Sequence, residues 1–114
     1  MYARVSTYES GYPEDYDAGL AALREEVMPQ TQGLPGYRGA LSLIERSTGQ
    51  SVSITFWADE DALAATREGA ERIRESAAAT SGSRVLSTVE YEVGYADLPA
   101  LPDTAGGSEN SSAS

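Results

Sequence analysis

The chain of 114 residues contains no cysteine, no histidine and no lysine. Without cysteine it can form neither disulfides nor thiolate metal sites, and it has no thiol nucleophile. Without histidine it cannot use Ser-His-Asp catalysis, histidine-ligated haem or a facial-triad iron centre. Any chemistry must therefore use carboxylates, arginine, tyrosine, tryptophan, hydroxyls, the backbone or the substrate itself. We accordingly expect no metal and no organic cofactor.

Positive charge is also scarce, because 8 arginines face 18 acidic residues and the net charge is −10. The arginines are scattered from Arg4 to Arg84, so the sequence predicts no basic patch for nucleic acid, and its acidity disfavours an anionic membrane surface. The apolar runs are far shorter than the roughly 20 residues of a spanning helix, and the N-terminus lacks the apolar core of a signal peptide. We therefore expect a cytoplasmic protein, and the arginine-, alanine- and glycine-rich composition indicates a bacterial source.

The length fits one domain followed by a tail. From Asp97 the chain is rich in Pro, Gly, Ser and Thr and shows no periodicity. Such a segment buries too little apolar surface to offset the entropy of ordering it, so we predict disorder from about Pro99. The predicted folded domain covers residues 1–96, and the tail covers residues 97–114.

The pattern of the first 96 residues predicts six elements in the order βαββαβ. The strands are expected at 2–9, 37–46, 51–57 and 85–95, from alternating apolar and β-branched residues. An apolar stripe predicts a first helix, expected to end at Pro29 and the Gly33–Gly36 cluster. Asp59 is the predicted N-cap of a second helix, and Gly82 its predicted end.

This order is typical of a ferredoxin-like α+β fold, with an antiparallel sheet and two helices on one face. Strands two to four carry apolar residues at both odd and even positions, which predicts a sheet that is apolar on both faces. Two helices cover only one face, so we expect a homodimer that packs through its sheet.

Three motifs carry a resemblance to a known family. They are the run Gly36-Tyr37-Arg38-Gly39-Ala40, the turn at Ser47-Thr48-Gly49, and a strand that closes on Trp57 before the acidic helix start Asp59-Glu60-Asp61. Together they resemble the antibiotic biosynthesis monooxygenase superfamily over about residues 1–96. The resemblance implies a dimeric α+β barrel with a pocket between the helices and the sheet of each subunit.

The resemblance also implies a function. The chain would be a small cofactor-independent monooxygenase-like protein that acts on an aromatic or polyketide-like molecule. The bound phenol or enol would lose a proton, and the resulting carbanion would reduce O₂ directly. In the quinone-forming branch, an Asn and a Trp four residues apart on the third strand line the pocket; Trp57 matches the Trp, but Ser53 replaces the Asn. The haem-degrading branch uses a His on a helix and an Asn near the end of the first strand. This sequence has no His, and Thr7 lies at about the position of that Asn.

The candidate site residues follow from this resemblance and from strand parity. Trp57 shares a strand face with Ser53 and Thr55, where its ring could clamp a planar ligand and offer its N–H to a carbonyl. Arg38, between two glycines, suits a phenolate or carboxylate. The candidate catalytic residues are Trp57, Arg38 and Ser53. The candidate substrate-binding residues are Thr7, Tyr8, Tyr16 and Thr55.

Other interpretations stay open at this point. Trp57 could simply fill a strand–helix corner, and Arg38 could pair with a glutamate. Glu90 and Glu92 lie on the same face of the predicted last strand, which favours a solvent-facing strand edge rather than a site. The alternative functions are a non-catalytic small-molecule-binding or interaction module, and a cofactor-free cyclase or isomerase. The sequence identifies no general base.

Overall fold

The computed structural model describes residues 1–10 and 16–99, which form one four-stranded antiparallel sheet and its helical connections. The strands are β1 (Tyr2–Ser10), β2 (Tyr37–Glu45), β3 (Gln50–Trp57) and β4 (Ser83–Glu92). Their order across the sheet is β2-β3-β1-β4, and each neighbouring pair is antiparallel. This is the ferredoxin-like arrangement, so the predicted fold class is confirmed.

The first helical connection is continuous from Tyr16 to Gln32. It consists of α1 (Tyr16–Ala22), one π-helical turn (Leu23–Val27) and α2 (Met28–Gln32). The helix passes through Pro29, so the prediction that Pro29 helps to end it is wrong. A proline inside an α-helix removes one hydrogen bond and clashes with the preceding turn. Here it follows a wider π turn, in which the Met28 N–H bonds five residues back to the Leu23 carbonyl.

The second helical connection begins and ends where the sequence predicts. It comprises α3 (Glu60–Ala65) and α4 (Arg67–Ser81). The Asp59 carboxylate accepts a hydrogen bond from the Ala62 N–H at 2.8 Å, which satisfies one free donor of the first turn. Gly82 ends α4 with φ 73°, a left-handed conformation that glycine adopts without strain.

The sheet has two chemically different faces. Arg4 Nη2 on β1 donates to the Leu63 carbonyl of α3 at 2.8 Å, so the even-numbered residues of β1 face the helices. Because side chains alternate along a strand, the register assigns every paired residue to one side. The inner face, beneath the helices, comprises Tyr2, Arg4, Ser6, Tyr8, Tyr37, Ala40, Ser42, Ile44, Ser51, Ser53, Thr55, Trp57, Ser83, Val85, Thr88, Glu90 and Glu92. The outer face is apolar in its middle and polar at one end, and it comprises Ala3, Val5, Thr7, Glu9, Gly39, Leu41, Leu43, Glu45, Gln50, Val52, Ile54, Phe56, Arg84, Ser87, Val89 and Tyr91.

The helices therefore cover the polar side of the sheet, and the apolar side is left open. The expectation of a sheet that is apolar on both faces is wrong, because hydroxyls and charges dominate the inner face. The buried residues show the same mixture. Buried apolar residues are Ala3, Trp57, Leu63 and Ala78, and buried polar residues are Arg4, Ser6, Thr31 and Thr66.

The outer face carries large exposed apolar side chains. Leu43 is 51% exposed, Val89 44% and Tyr91 54%. Beyond β4, Leu98 and Pro99 line an open cavity of about 280 Å³ on this side, although the predicted tail includes both residues. The rest of that tail, 100–114, lies outside the described residues. Within the described ranges, no helix is long and apolar enough to cross a membrane.

Candidate functional site

Trp57 is the buried centre of the inner face. It ends β3, is 0% exposed, and donates from Nε1 to Thr55 Oγ1 at 2.9 Å. The Tyr37 ring meets it edge-on, with ring centroids 6.0 Å apart and planes at 81°. The predicted shared face of Trp57 and Thr55 is therefore present. The indole N–H, however, is already engaged by Thr55 rather than available to a ligand carbonyl.

Arg4 packs directly against this tryptophan. Its guanidinium carbon lies 5.2 Å from the Trp57 ring centroid, within the range of a cation–π contact. Its Nε donates to Glu90 Oε2 at 3.2 Å, and its Nη2 donates to the Leu63 carbonyl at 2.8 Å. The side chain is only 3% exposed. Arg4 was not among the predicted site residues, although a charged residue in the middle of a predicted strand indicates that a charged partner lies nearby.

Glu90 joins two arginines at this end of the sheet. Besides Arg4, it accepts two hydrogen bonds from Arg67, at 3.1 Å from Nε and 2.7 Å from Nη2. The Arg67 hydrogen bonds, followed by Arg4, lower the pKa of the Glu90 carboxyl, while partial burial opposes this. For Arg4, burial lowers the guanidinium pKa despite the Glu90 carboxylate. Glu90 is thus the centre of an ion-pair network rather than part of a solvent-facing edge.

A strip of hydroxyls continues from Trp57 along the inner face. The Tyr8 and Ser53 hydroxyls share a hydrogen bond at 3.4 Å, and those of Ser6 and Thr88 share one at 3.2 Å. Ser6 is buried, but Tyr8, Ser53 and Thr55 are only partly buried. The strip is therefore closed at the Trp57 end and accessible farther along.

The remaining candidates lie elsewhere. Arg38 is exposed at the bulge between the β2 residues Tyr37 and Gly39; its Nη1 donates to the Tyr37 carbonyl at 3.3 Å, and it lines the open cavity with Leu41 and Phe56. Thr7 lies on the outer face, opposite Val52. Tyr16 begins α1, and its side chain lies outside the described residues. The structure thus brings together Trp57, Thr55, Ser53 and Tyr8, but not Arg38 or Thr7.

The site offers aromatic, hydroxyl and guanidinium groups and lacks a metal-binding arrangement. Within residues 1–10 and 16–99, no three acidic residues cluster so as to hold a metal ion. An aromatic ring can be held by apolar contact, and its oxygen substituents by hydroxyl or guanidinium donors. The arrangement therefore suits a planar ligand that carries oxygen atoms.

Comparison with known sequences finds relatives whose activity is not described. No protein-family model matches the chain. An uncharacterized protein of Mycobacterium tuberculosis, Rv2557, is 34% identical over 93 residues, which are 82% of this chain and 41% of that protein. A second, Rv2558, is 35% identical over 78 residues, which are 68% of this chain and 33% of that protein. The chain therefore spans less than half the length of the curated relatives it matches.

Comparison with solved structures gives the fold. HapK from Hahella chejuensis superposes with a TM-score of 0.67 at 12% identity, over 88% of this chain and all of that one. SnoaB, a cofactor-independent oxygenase from Streptomyces nogalater, gives 0.60 at 17% identity over 87% and 97%. The monooxygenase ActVA-Orf6 of Streptomyces coelicolor, solved with nanaomycin D, gives 0.60 at 20% identity over 87% and 92%.

At these identities the likeness is one of fold. Other matching structures are described as antibiotic biosynthesis monooxygenases. The resemblance of the sequence to this superfamily is therefore confirmed at the level of the fold: the chain has the α+β fold of the antibiotic biosynthesis monooxygenases.

Proposed function

We propose that the inner face binds an aromatic or polyketide-like molecule and that the protein acts on it as a cofactor-independent monooxygenase. The polar inner face carries this proposal. Sheets in α+β domains usually pack their apolar face against helices, because that burial drives folding. Here the helices lie over hydroxyls, an arginine and a glutamate, which provide little apolar burial and are groups that a ligand site can use.

The reaction proposed is the oxidation of an activated ring CH₂ by O₂. Loss of a proton from the bound phenol or enol gives a carbanion that transfers electrons to O₂. One oxygen atom becomes the new ring carbonyl, and the other leaves as water with the two hydrogens of the CH₂ group. The protein would orient the ring and stabilise its anion. Tyr8, Ser53 and Thr55 lie along the accessible part of the strip, where they could hold ring oxygens.

A non-catalytic binding module is the second candidate, and specific contacts favour it. The Trp57 N–H is already bonded to Thr55, and Ser53, which replaces the Asn of the quinone-forming branch, already contacts Tyr8. The Trp57 N–H is therefore not a free donor for catalysis, and the Tyr8–Ser53 hydrogen bond engages one of these two hydroxyl protons. The two functions predict the same ligand class and differ only in whether O₂ is consumed.

Oxygen uptake with an anthrone separates the two functions. The oxygenase should consume O₂ and form the anthraquinone faster than the anthrone autoxidises without protein. Ser53→Val should slow this reaction, whereas Ser87→Val, on the strand position opposite Thr7, should not. Saturable binding of the anthrone with no O₂ uptake above autoxidation would assign the protein to the binding class.

The uncovered outer face supports the proposal of a homodimer. Leu43, Val89 and Tyr91 are about half exposed in the single chain, and a second copy could bury them. Leu43→Glu should therefore produce monomers in analytical ultracentrifugation. Ser42→Glu, at the adjacent position on the opposite face, should leave the association unchanged. A wild-type monomer at micromolar concentration would refute the dimer.

A further inference from the structure

The outer face consists of four rows of side chains, because its strands are paired in register. Each row holds one residue from β2, β3, β1 and β4, in that order across the sheet. The first row, at the Trp57 end of the sheet, contains Gly39, Phe56, Ala3 and Tyr91. Small and large side chains therefore alternate along this row, with a glycine at the β2 edge and a tyrosine at the β4 edge.

The glycine end of the first row is the open cavity of about 280 Å³. Gly39 contributes no side chain there, and the walls include Leu41, Phe56 and Leu98. This volume is below the roughly 300–1,000 Å³ of most small-molecule sites, so the cavity suits one large side chain better than a ligand. Arg38, at its rim, takes part in none of the ion pairs of the described residues, and an arginine can lie against an aromatic ring.

A two-fold axis parallel to the strands would match this row with itself in a second copy. Such an axis reverses each row, so that β4 of one copy lies over β2 of the other. Tyr91 then lies over the partner's Gly39, at the cavity, and Phe56 lies over the partner's Ala3. Every large side chain of the row meets a small one.

The same axis also matches the charges at the opposite end of the face. The last row contains Glu45, Gln50, Glu9 and Arg84. Reversal of this row places Arg84 over the partner's Glu45. Arg84 already pairs with Glu9 at 2.7 Å, but a guanidinium has five N–H donors and can bind a second carboxylate.

An axis that lies in the sheet plane but runs across the strands gives a poorer match. It would place the first row of one copy on the last row of the other. Phe56 would then lie over the partner's Gln50, and Ala3 over the partner's Glu9. Burying polar and charged groups against apolar side chains is unfavourable, so the axis parallel to the strands is the better solution.

The outer face is also large enough for this contact. Four strands about 4.8 Å apart, each contributing about eight residues of 3.3 Å, form a face on the order of 500 Å². Two such faces give about 1,000 Å² in total, which is the area that a specific interface needs. Tyrosine and arginine, which this contact would use, are the residue types enriched at the energetic centres of interfaces.

We propose that two copies of the chain pack outer face against outer face about a two-fold axis parallel to the strands, with Tyr91 of each copy in the partner's Gly39 cavity. This inference rests on the homodimer proposed above and is independent of the ligand and of oxygen chemistry. It also assigns the contacts between the second rows, where Val89 lies over the partner's Leu41.

Mixtures of charged variants test which residues meet. Val89→Glu should raise the dissociation constant of the dimer at least about tenfold in analytical ultracentrifugation, because it buries an unpaired charge. Mixing it with Leu41→Arg should restore dimers, because the new glutamate and arginine meet across the interface. Ser87→Arg is the matched control. It adds the same charge to the outer face, but it meets position 89 only if the axis runs across the strands.

A second pair of variants serves if circular dichroism shows that Val89→Glu does not fold. Glu45→Arg and Arg84→Glu change exposed residues at the end of the face, and each alone should weaken the dimer. The doubly substituted chain should recover wild-type association. Positions 45 and 84 lie on opposite edges of the sheet, so this recovery can only arise between two copies.

The outcomes separate this inference from the proposed homodimer. Recovery of Val89→Glu by Leu41→Arg and not by Ser87→Arg supports the axis parallel to the strands. Recovery by Ser87→Arg alone, equal recovery by both, or recovery by neither overturns that axis and leaves the homodimer standing. Unchanged association of Val89→Glu would overturn it as well. A wild-type monomer at micromolar concentration would refute both the homodimer and this packing.

Discussion

Replacing Glu90 with glutamine tests whether the ion-pair network stabilises the fold. The variant keeps an oxygen that can accept from Arg4 but removes the charge that compensates a guanidinium only 3% exposed. Removing one partner of a buried pair typically costs about 3–5 kcal/mol. Glu90 is 23% exposed, and glutamine keeps the acceptor, so we expect a loss of about 2 kcal/mol. In a domain of this size that corresponds to roughly 8–16 °C in melting temperature.

Thermal and urea unfolding followed by circular dichroism at neutral pH would measure this loss. Glu9→Gln is the matched control, because Glu9 pairs with Arg84 where both side chains are well exposed. Exposed pairs contribute at most about 1 kcal/mol, so the control should melt close to the wild type. Equal melting temperatures for Glu90→Gln and Glu9→Gln would refute the argument that Arg4 depends on Glu90.

The stabilities of the wild type and of Glu90→Gln should depend differently on pH. Because the arginines lower the pKa of Glu90 in the folded state, its contribution to stability is present above its ordinary pKa of 4.5. The contribution is lost as the pH falls through the lower folded-state pKa, where the carboxyl becomes protonated. The stability difference between wild type and Glu90→Gln should therefore be constant near neutral pH and shrink in acid. A difference that persisted at low pH would contradict the assigned charge interaction.

Three further substitutions test individual contacts by urea unfolding. Thr55→Val should leave the buried indole N–H without an acceptor and cost about 1–3 kcal/mol; wild-type stability would show that the bond is not needed. Gly36 has φ 84°, and a Cβ at this position would meet the Ala62 side chain. Gly36→Ala should therefore lower the free energy of unfolding by more than Gly82→Ala, whose Cβ meets open space and which should cost about 1 kcal/mol. Equal losses would contradict the close approach. Asp59→Ala should cost about 1 kcal/mol through loss of the helix cap, and an unchanged midpoint would contradict that role.

The elements of this fold were predictable because local signals specify them. The alternation of apolar and polar residues predicted the strands. Asp59 and Gly82 predicted the two ends of the second helical connection, because helix capping depends on residues within the first and last turns. Pro29 shows the limit of that approach. Its usual effect as a helix breaker is offset by the π turn before it, and no local pattern in the sequence predicts that turn.

The site was predictable only in part. Strand parity placed Trp57, Thr55 and Ser53 on one face, and the structure agrees. The Arg4–Glu90 pair joins residues 86 positions apart, so it depends on the register between β1 and β4, which the sequence alone does not specify. Parity also separates the two faces of a strand without saying which face the helices cover. Thr7 was grouped with Trp57 through the family resemblance, which places a polar residue near the end of the first strand, and it lies on the opposite side of the sheet.

The two faces of the sheet have different proposed roles, which are association for the outer face and ligand binding for the inner face. Each role can be tested separately. Burial of apolar surface is the main stabilising contribution to folding, yet the large apolar side chains of the outer face remain partly exposed in the single chain. Covering that face would add stability without touching the polar inner face. Substitutions at Leu43 should therefore change association and stability while leaving the affinity for an anthrone unchanged. Substitutions at Ser53 should change that affinity at unchanged association, because the side chain lies on the other side of the sheet.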